Sequence, residues 1–284
     1  MPSPPHKQAR RNKPEMTLDR VLSRMGVASR SDAVEMIRAG RVTVDGRVVT
    51  DPLYWIETAR QTVRLDGARV KAQRRVYYAL HKPRGVITSH GDPQGRKTVY
   101  DLLGSTVASS PAPAQQARAR LPKKPRSKSS HVLSTPPSPS TSVPDSRWLF
   151  PVGRLDQDTS GLLLLTNDSI FAERITNPAT KVDKTYLVKV NALATEADLE
   201  RLRNGLDIGR GEQSGPATIT YLRDNGHFCW LEIVISEGKN RQVRRMIEAL
   251  GYQVLKLVRT RIGKLELGDI PSGTVRAIQP SDVL

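Results

Sequence analysis

The sequence predicts an α+β protein with two unequal parts: a small helix-and-hairpin unit, then a larger strand-rich part. Three observations predict this. Leu18, Val21, Leu22 and Met25 recur at helical spacing. Strand-forming residues alternate around Asp45-Gly46, a tight-turn pair. Beyond residue 76, apolar runs end in polar loops, and one helical stripe stands among them. The 284 residues are ample for one large domain or two unequal ones.

Residues 1–15 are rich in proline and carry Lys7, Arg10, Arg11 and Lys13, so a disordered basic tail is expected there. The first helix starts after Thr17, a candidate N-cap, and stops at Gly26. Ser29-Arg-Ser-Asp32 fits a capping pattern for a second helix, with Gly40 in the C-cap position. Arg41-Val-Thr-Val-Asp-Gly-Arg-Val-Val49 then reads as a hairpin. Arg20, Arg24, Arg30, Arg38 and Arg41 are expected near one two-helix surface. Their planar guanidinium forks suit phosphate oxygens; the alternative is a small structural unit with solvated arginines.

The second part opens with an apolar strand, Tyr77-Tyr-Ala-Leu-His, that runs into a basic turn, Lys82-Pro-Arg-Gly85. Residues 104–146 hold 11 Ser and eight Pro in 43 positions, with a basic run at 122–128. That composition cannot bury enough apolar surface to offset the entropy of ordering, which predicts a disordered insertion. It is either a tolerated surface loop or a basic arm that tracks phosphates. After it, Gly153 to Gly161 forms a polar loop between Leu149-Phe150 and a buried strand, Leu162–Leu165. The loop presents two carboxylates, Asp156 and Asp158. Lys184-Thr-Tyr-Leu-Val-Lys-Val190 reads as an edge strand carrying Tyr186. Val243, Met246, Ile247 and Leu250 form a helical stripe, and Arg241, Arg244 and Arg245 crowd its start. Cations are unfavourable at a helix N-terminus, so three there point to facing anions, either phosphate or a buried carboxylate.

The charge narrows the function. The chain has 45 Lys plus Arg against 28 Asp plus Glu, a net +17, which points to a polyanionic partner, above all nucleic acid. Residues 147–284 contribute only +2 of this excess, so the near-balanced half is the expected place for chemistry. No apolar run reaches the roughly 18 residues of a membrane span. The single cysteine, Cys229, excludes a disulfide scaffold and fits a reducing compartment, and no signal-peptide core is seen, so a cytoplasmic location is expected. The five histidines form no spaced ligand set, and no metal site is expected.

Two strings carry a resemblance. Gly153-Arg-Leu-Asp-x-x-Thr-Ser-Gly-Leu-Leu-Leu-Leu-Thr-Asn-Asp168 and Glu237-Gly-Lys-Asn-Arg-Gln-Val-Arg-Arg-Met246 closely resemble the bacterial ribosomal pseudouridine synthases of the RsuA/RluB type. The helix–helix–hairpin run resembles the S4-like RNA-binding domain. The resemblance covers nearly the whole chain outside 1–15 and 104–146. It implies an S4-like domain over 16–72 and a catalytic domain over 73–284, built on a mixed, largely antiparallel sheet flanked by helices. The implied activity is isomerisation of a ribosomal RNA uridine without metal or cofactor. The implied partner is ribosomal RNA or a ribosomal subunit precursor, the large subunit favoured, met by a monomer.

By the same resemblance Asp156 is the catalytic carboxylate, either a nucleophile on the ribose or a base removing a ribose proton. Arg244 is its pairing partner, and Tyr186 offers a face to the flipped base. Arg154 helps to hold the displaced strand. Lys82, Arg84, Lys239, Arg241 and Arg245 are expected RNA contacts beside the five arginines of the first unit. Asp158 is expected to bond the turn. Two other classes stay open: a non-catalytic RNA-binding or ribosome-assembly protein, and a glycoside hydrolase using Asp156 and Asp158, which the close spacing in one loop disfavours.

Overall fold

The computed structural model describes residues 15–103 and 148–284. The expectations for the N-terminal tail and for the 104–146 insertion fall outside these residues, except that Glu15 already belongs to a strand. The chain divides into two compact units, one reaching to Val76 and taking in Trp148, Leu149 and Asn167–Ser169, the other holding the rest.

In the first unit, strand β1 (Glu15–Thr17) leads into helices α1 (Leu18–Arg24) and α2 (Arg30–Arg38). Strands β2 (Val42–Val44), β3 (Arg47–Val48), β4 (Trp55–Glu57), β5 (Val63–Leu65) and β6 (Ala68–Arg69) follow. β1 pairs with β4, and β3-β2-β5-β6 form an antiparallel sheet. Asp45-Gly46 makes the expected hairpin, and Asp66-Gly67 makes a second one. All four residues have positive φ, as the two-residue turn between twisted strands requires. Leu18, Leu22, Ile37, Val42 and Ile56 are fully buried between the helices and strands.

Ser29 caps α2 by accepting the Asp32 amide at 3.0 Å. Thr17 does not cap α1. Its hydroxyl instead donates to Asp19 at 2.5 Å, and Arg30 grips the same buried carboxylate at 2.8 Å. Burial pushes the Asp19 carboxyl up, but these donors together hold it below its ordinary value. Arg41 forks onto Asp66 at 3.0 and 2.6 Å. Arg30 and Arg41 are therefore committed within the unit. Arg20, Arg24 and Arg38 are exposed and have no carboxylate partner among the described residues.

The second unit holds β7 (Tyr77–Lys82), β8 (Phe150–Val152), β9 (Ser160–Thr166), α3 (Ser169–Thr176), β10 (Lys184–Val190) and α4 (Glu196–Asn204). It continues with β11 (Thr218–Asp224), β12 (Cys229–Ile235), α5 (Gln242–Glu248), β13 (Val254–Ile262), β14 (Leu265–Glu266) and β15 (Val275–Ala277). The sheet order is β11-β12-β10-β13-β9-β7-β15, with β8 on β9 and β14 on β13. Among the described strands only β13 and β9 run parallel, so the sheet is mixed and largely antiparallel.

One correction follows from this order. Lys184–Val190 is not an edge strand but lies between β12 and β13. Its polar residues sit at its start and on one face, while Val188 and Val190 are fully buried on the other against α4 and α5. The run Leu162–Leu165 is wholly buried, as expected, because β9 is covered on both faces.

The β9–β13 contact explains Gly161. Its φ is +111°, and a Cβ there would lie 2.2 Å from the Arg259 carbonyl oxygen. Neither backbone could keep its place. Gly161→Ala should therefore cost about 3 kcal/mol or more. Gly226→Ala, which has a similar left-handed strain but open space around it, should cost about 1–2 kcal/mol. Thermal or denaturant unfolding of both variants checks this; equal losses would mean that the close approach is not tight.

Candidate active site

The loop from Gly153 to Thr159 joins β8 to β9. It has no ladder partners, so its carbonyls need other donors. Five consecutive carbonyls find them. Thr88 Oγ1 donates to Leu155 at 2.9 Å and the Gly85 amide to Gln157 at 2.8 Å. Arg244 Nη2 donates to Asp158 at 3.0 Å. Lys82 Nζ donates to Asp156 at 3.0 Å and Thr159 at 2.7 Å, and also to Pro83 at 3.1 Å. The Thr159 amide closes the turn onto the Asp156 carbonyl at 3.1 Å.

Lys82 is therefore not an RNA contact. It is fully buried at the end of β7, and its three N–H bonds are taken by backbone. Burial pushes its ammonium down to about 8, against the pull of Asp156 and Asp158. Arg245 is corrected too. It is buried, donates to the carbonyls of Ile208 at 2.8 Å and Gly209 at 2.5 Å, and pairs with Glu212. It pins the turn after α4 and has no reach to a phosphate. Lys239 is half-buried on Glu237 at 2.9 Å.

The loop leaves the Asp156 side chain partly exposed, and its direct ion pair is with Arg241, at 3.6 Å, rather than with Arg244. Arg241 has a left-handed backbone (φ 50°) at the N-cap of α5, which turns it outward. Arg244, one turn into the helix, is buried and reaches the loop's main chain instead. Burial first, and Arg241 second, push its guanidinium below the ordinary arginine value. Asp158 does not bond the turn with its carboxylate, which is exposed and faces Arg84 at 3.9 Å.

A cavity of about 170 Å³ opens beside Asp156. Tyr186, Arg241 and Arg244 line it, as does Arg154, and Leu257, Val243 and Ile262 supply apolar wall. Two further cations line it that the sequence reading does not single out, Lys184 and Arg259. The available signals are Lys184 two residues before Tyr186, hence on its face, and Arg259 inside an apolar strand. Among the described residues, no three His, Cys, Asp or Glu side chains gather as a metal site, and no helix is long and apolar enough to cross a membrane.

The model of the RNA pseudouridylate synthase family matches residues 76–249, which takes in the whole cavity loop and α5. The chain belongs to this family. The S4 domain model matches residues 16–54. The synthase is 34% identical over 267 residues to the ribosomal large subunit pseudouridine synthase B of Bacillus subtilis, covering 94% of this chain and 93% of the relative. It is 36% identical to an uncharacterized RNA pseudouridine synthase of Mycobacterium bovis, covering 94% and 91%. A crystal structure of a pseudouridylate synthase matches with a TM-score of 0.59 at 26% identity, over 94% of this chain and 97% of that one. The glycoside hydrolase reading is thereby set aside.

In this pseudouridine synthase Lys82→Met should cost about 2–5 kcal/mol, because buried carbonyls lose their donor. The sign with pH follows from the lowered value. The folded chain releases the Lys82 proton before the unfolded chain does, so this group adds stability as pH rises from about 8 towards 10.5. The wild-type minus variant difference in unfolding free energy should grow across that window. A difference that is flat or shrinking with pH would contradict the buried ammonium.

Proposed function

We propose that the chain converts a uridine of ribosomal RNA, the large subunit being the favoured source, into pseudouridine, with Asp156 as the catalytic carboxylate. The observation that carries this is the placement of Asp156: a carboxylate beside a cavity, on a loop whose five carbonyls from Leu155 to Thr159 all have donors, with Tyr186 on the wall. The relative from Bacillus subtilis, named for the ribosomal large subunit, supports the choice of RNA.

The reaction opens the bond between ribose C1′ and uracil N1, turns the base and closes a bond from C1′ to C5. The proton on C5 is lost and N1 gains one, so the product is an isomer. Asp156 acts on the sugar, either by bonding to C1′ or by taking a ribose proton. A loop that is already fixed brings that oxygen to the sugar without reordering. Tyr186 supplies a ring face for a base taken out of its stack. Arg241 places a positive charge beside the carboxylate, and Arg84 and Arg154, exposed near the cavity, suit the phosphates of the flanking strand. Action as a monomer belongs to the same reading, and a free buried Cys229 fits a cytoplasmic site.

Asp156→Asn should abolish pseudouridine formation while leaving the fold intact, since the amide keeps the shape but is neither nucleophile nor base. Tritium release from ribosomal RNA labelled at uracil C5 measures this; turnover near the wild-type rate would remove Asp156 from the role. Arg20, Arg24 and Arg38 are proposed as the phosphate contacts of the S4-like unit. Replacing all three with Gln should flatten the dependence of log affinity on log salt by about 2–3. Identical slopes for the two proteins would exclude that surface.

A further inference from the structure

Three of the buried polar side-chain atoms without a hydrogen-bond partner among the described residues belong to this one cavity: Thr159 Oγ1, Arg244 Nε and Arg259 Nη2. Buried polar groups are nearly always paired, so a cluster of exceptions marks a place where another molecule supplies the partners. Arg259 is the most telling. It is 5% exposed, donates Nε to the Leu162 carbonyl at 2.7 Å, and has no ion-pair partner among the described residues. Lys184, 8% exposed, lines the same cavity and, among the described residues, donates to the Ser236 carbonyl alone, at 3.3 Å. Asp156 and Glu237 line the same cavity, but neither forms an ion pair with Arg259 or Lys184 among the described residues, and two buried cations without an ion-pair partner are costly unless an anion completes them. Burial and Arg259 both push the Lys184 ammonium below its ordinary value, against the pull of Asp183.

Their register gives the direction. Arg259 pairs with Tyr186 on one side and with Gly161 on the other. Directly opposed residues project to the same face of a sheet, so the Arg259 side chain leaves the strand beside the Tyr186 ring. Lys184 lies on that face as well, two residues from Tyr186. Gly161 has no side chain to occupy the third place in this row.

We propose that Arg259, assisted by Lys184, is a catalytic residue that holds the uracil anion released when the glycosidic bond opens. The proposal rests on the synthase reading above. When the C1′–N1 bond breaks, its electron pair stays with the base and spreads onto the carbonyl oxygens O2 and O4. The detached base must then be retained through its rotation and not lost to water. A base stacked on Tyr186 presents a carbonyl edge to the cation beside it. Arg259 holds that oxygen, and its charge gains a directly contacting anion while the base is anionic. When C5 bonds to C1′ and gives up its proton, N1 is reprotonated, the base is neutral, and the hold weakens. The interaction is thus strongest at the step that needs it.

The test compares leaving bases. Wild-type chain, Arg259→Lys, Arg259→Gln and Lys184→Met are each mixed in excess with a ribosomal RNA fragment carrying uridine or 5-fluorouridine at the modified position, and loss of the starting nucleoside is timed. Fluorine at C5 withdraws electron density and makes uracil a better leaving anion, so it needs less help. On uridine, Arg259→Gln should slow the reaction about 10²-fold, with RNA affinity within about threefold of wild type. Arg259→Lys should lose less, and Lys184→Met about tenfold. On 5-fluorouridine each loss should shrink at least about fivefold. Equal losses on the two bases, or weakened RNA binding with an unchanged maximal rate, would overturn the proposal. If the Arg259 variants fail to fold, Lys184→Met decides it by the same comparison. A wild-type chain that makes no pseudouridine would overturn the synthase reading itself, whereas an active wild type with undiminished variants would overturn only the role of Arg259 and Lys184.

Discussion

The Lys82 ammonium has no access to solvent and donates to three backbone carbonyls, two of them in the loop that carries Asp156. A loop inside a domain cannot leave its carbonyls unpaired, and this one has no strand beside it to pair with. A single side chain with three donors solves the problem at one point, and Thr88, Gly85 and Arg244 solve it at the others. The carboxylate is then held by its own main chain. Its ion pair with Arg241 sits at 3.6 Å on the outer side and is not needed to keep the loop in place.

The same constraint organises the neighbouring strands. β7 ends at Lys82 and lies beside β9, which begins where the loop ends. β9 in turn meets β13 in the one parallel contact of the sheet, where the absent side chain of Gly161 lets the two backbones close up. β13 brings Arg259, and β10 on its other side brings Tyr186 and Lys184. Elements that are distant in sequence thus converge on a cavity lined by several cations and two carboxylates, Asp156 and Glu237. The C-terminal half is nearly balanced in charge overall, +2 over residues 147–284, yet locally it is strongly positive at this point. A polyanion is the natural complement, and the exposed arginines of the S4 unit extend the same preference.

What the sequence made legible follows locality. The Ser29 cap, the Asp45-Gly46 turn and the buried leucines of β9 depend on neighbours within a few residues, and all three are as expected. Asp66-Gly67 carries the same local signal as Asp45-Gly46 and marks a second hairpin. The interior place of β10 was not legible, because strand order is a long-range property and its lysines imitate an edge. Lys82 and Arg245 read as surface cations because charged residues are rarely buried, and nothing near them in sequence announces the carbonyls that they meet. The exchange of roles between Arg241 and Arg244 turns on one backbone angle at the start of α5, which residue type does not encode. The motif placed Asp156, Tyr186 and Arg244 around one cavity; Lys184 and Arg259 needed the sheet register to join them.

The most direct measurement is a crystal structure of the Asp156→Asn chain with a ribosomal RNA fragment bound. Residues 155–159 should keep their place, with Lys82 Nζ still on the carbonyls of residues 156 and 159 and a flipped uracil stacked on Tyr186. A loop that refolds around the RNA, or a Lys82 that leaves those carbonyls for a phosphate, would contradict this.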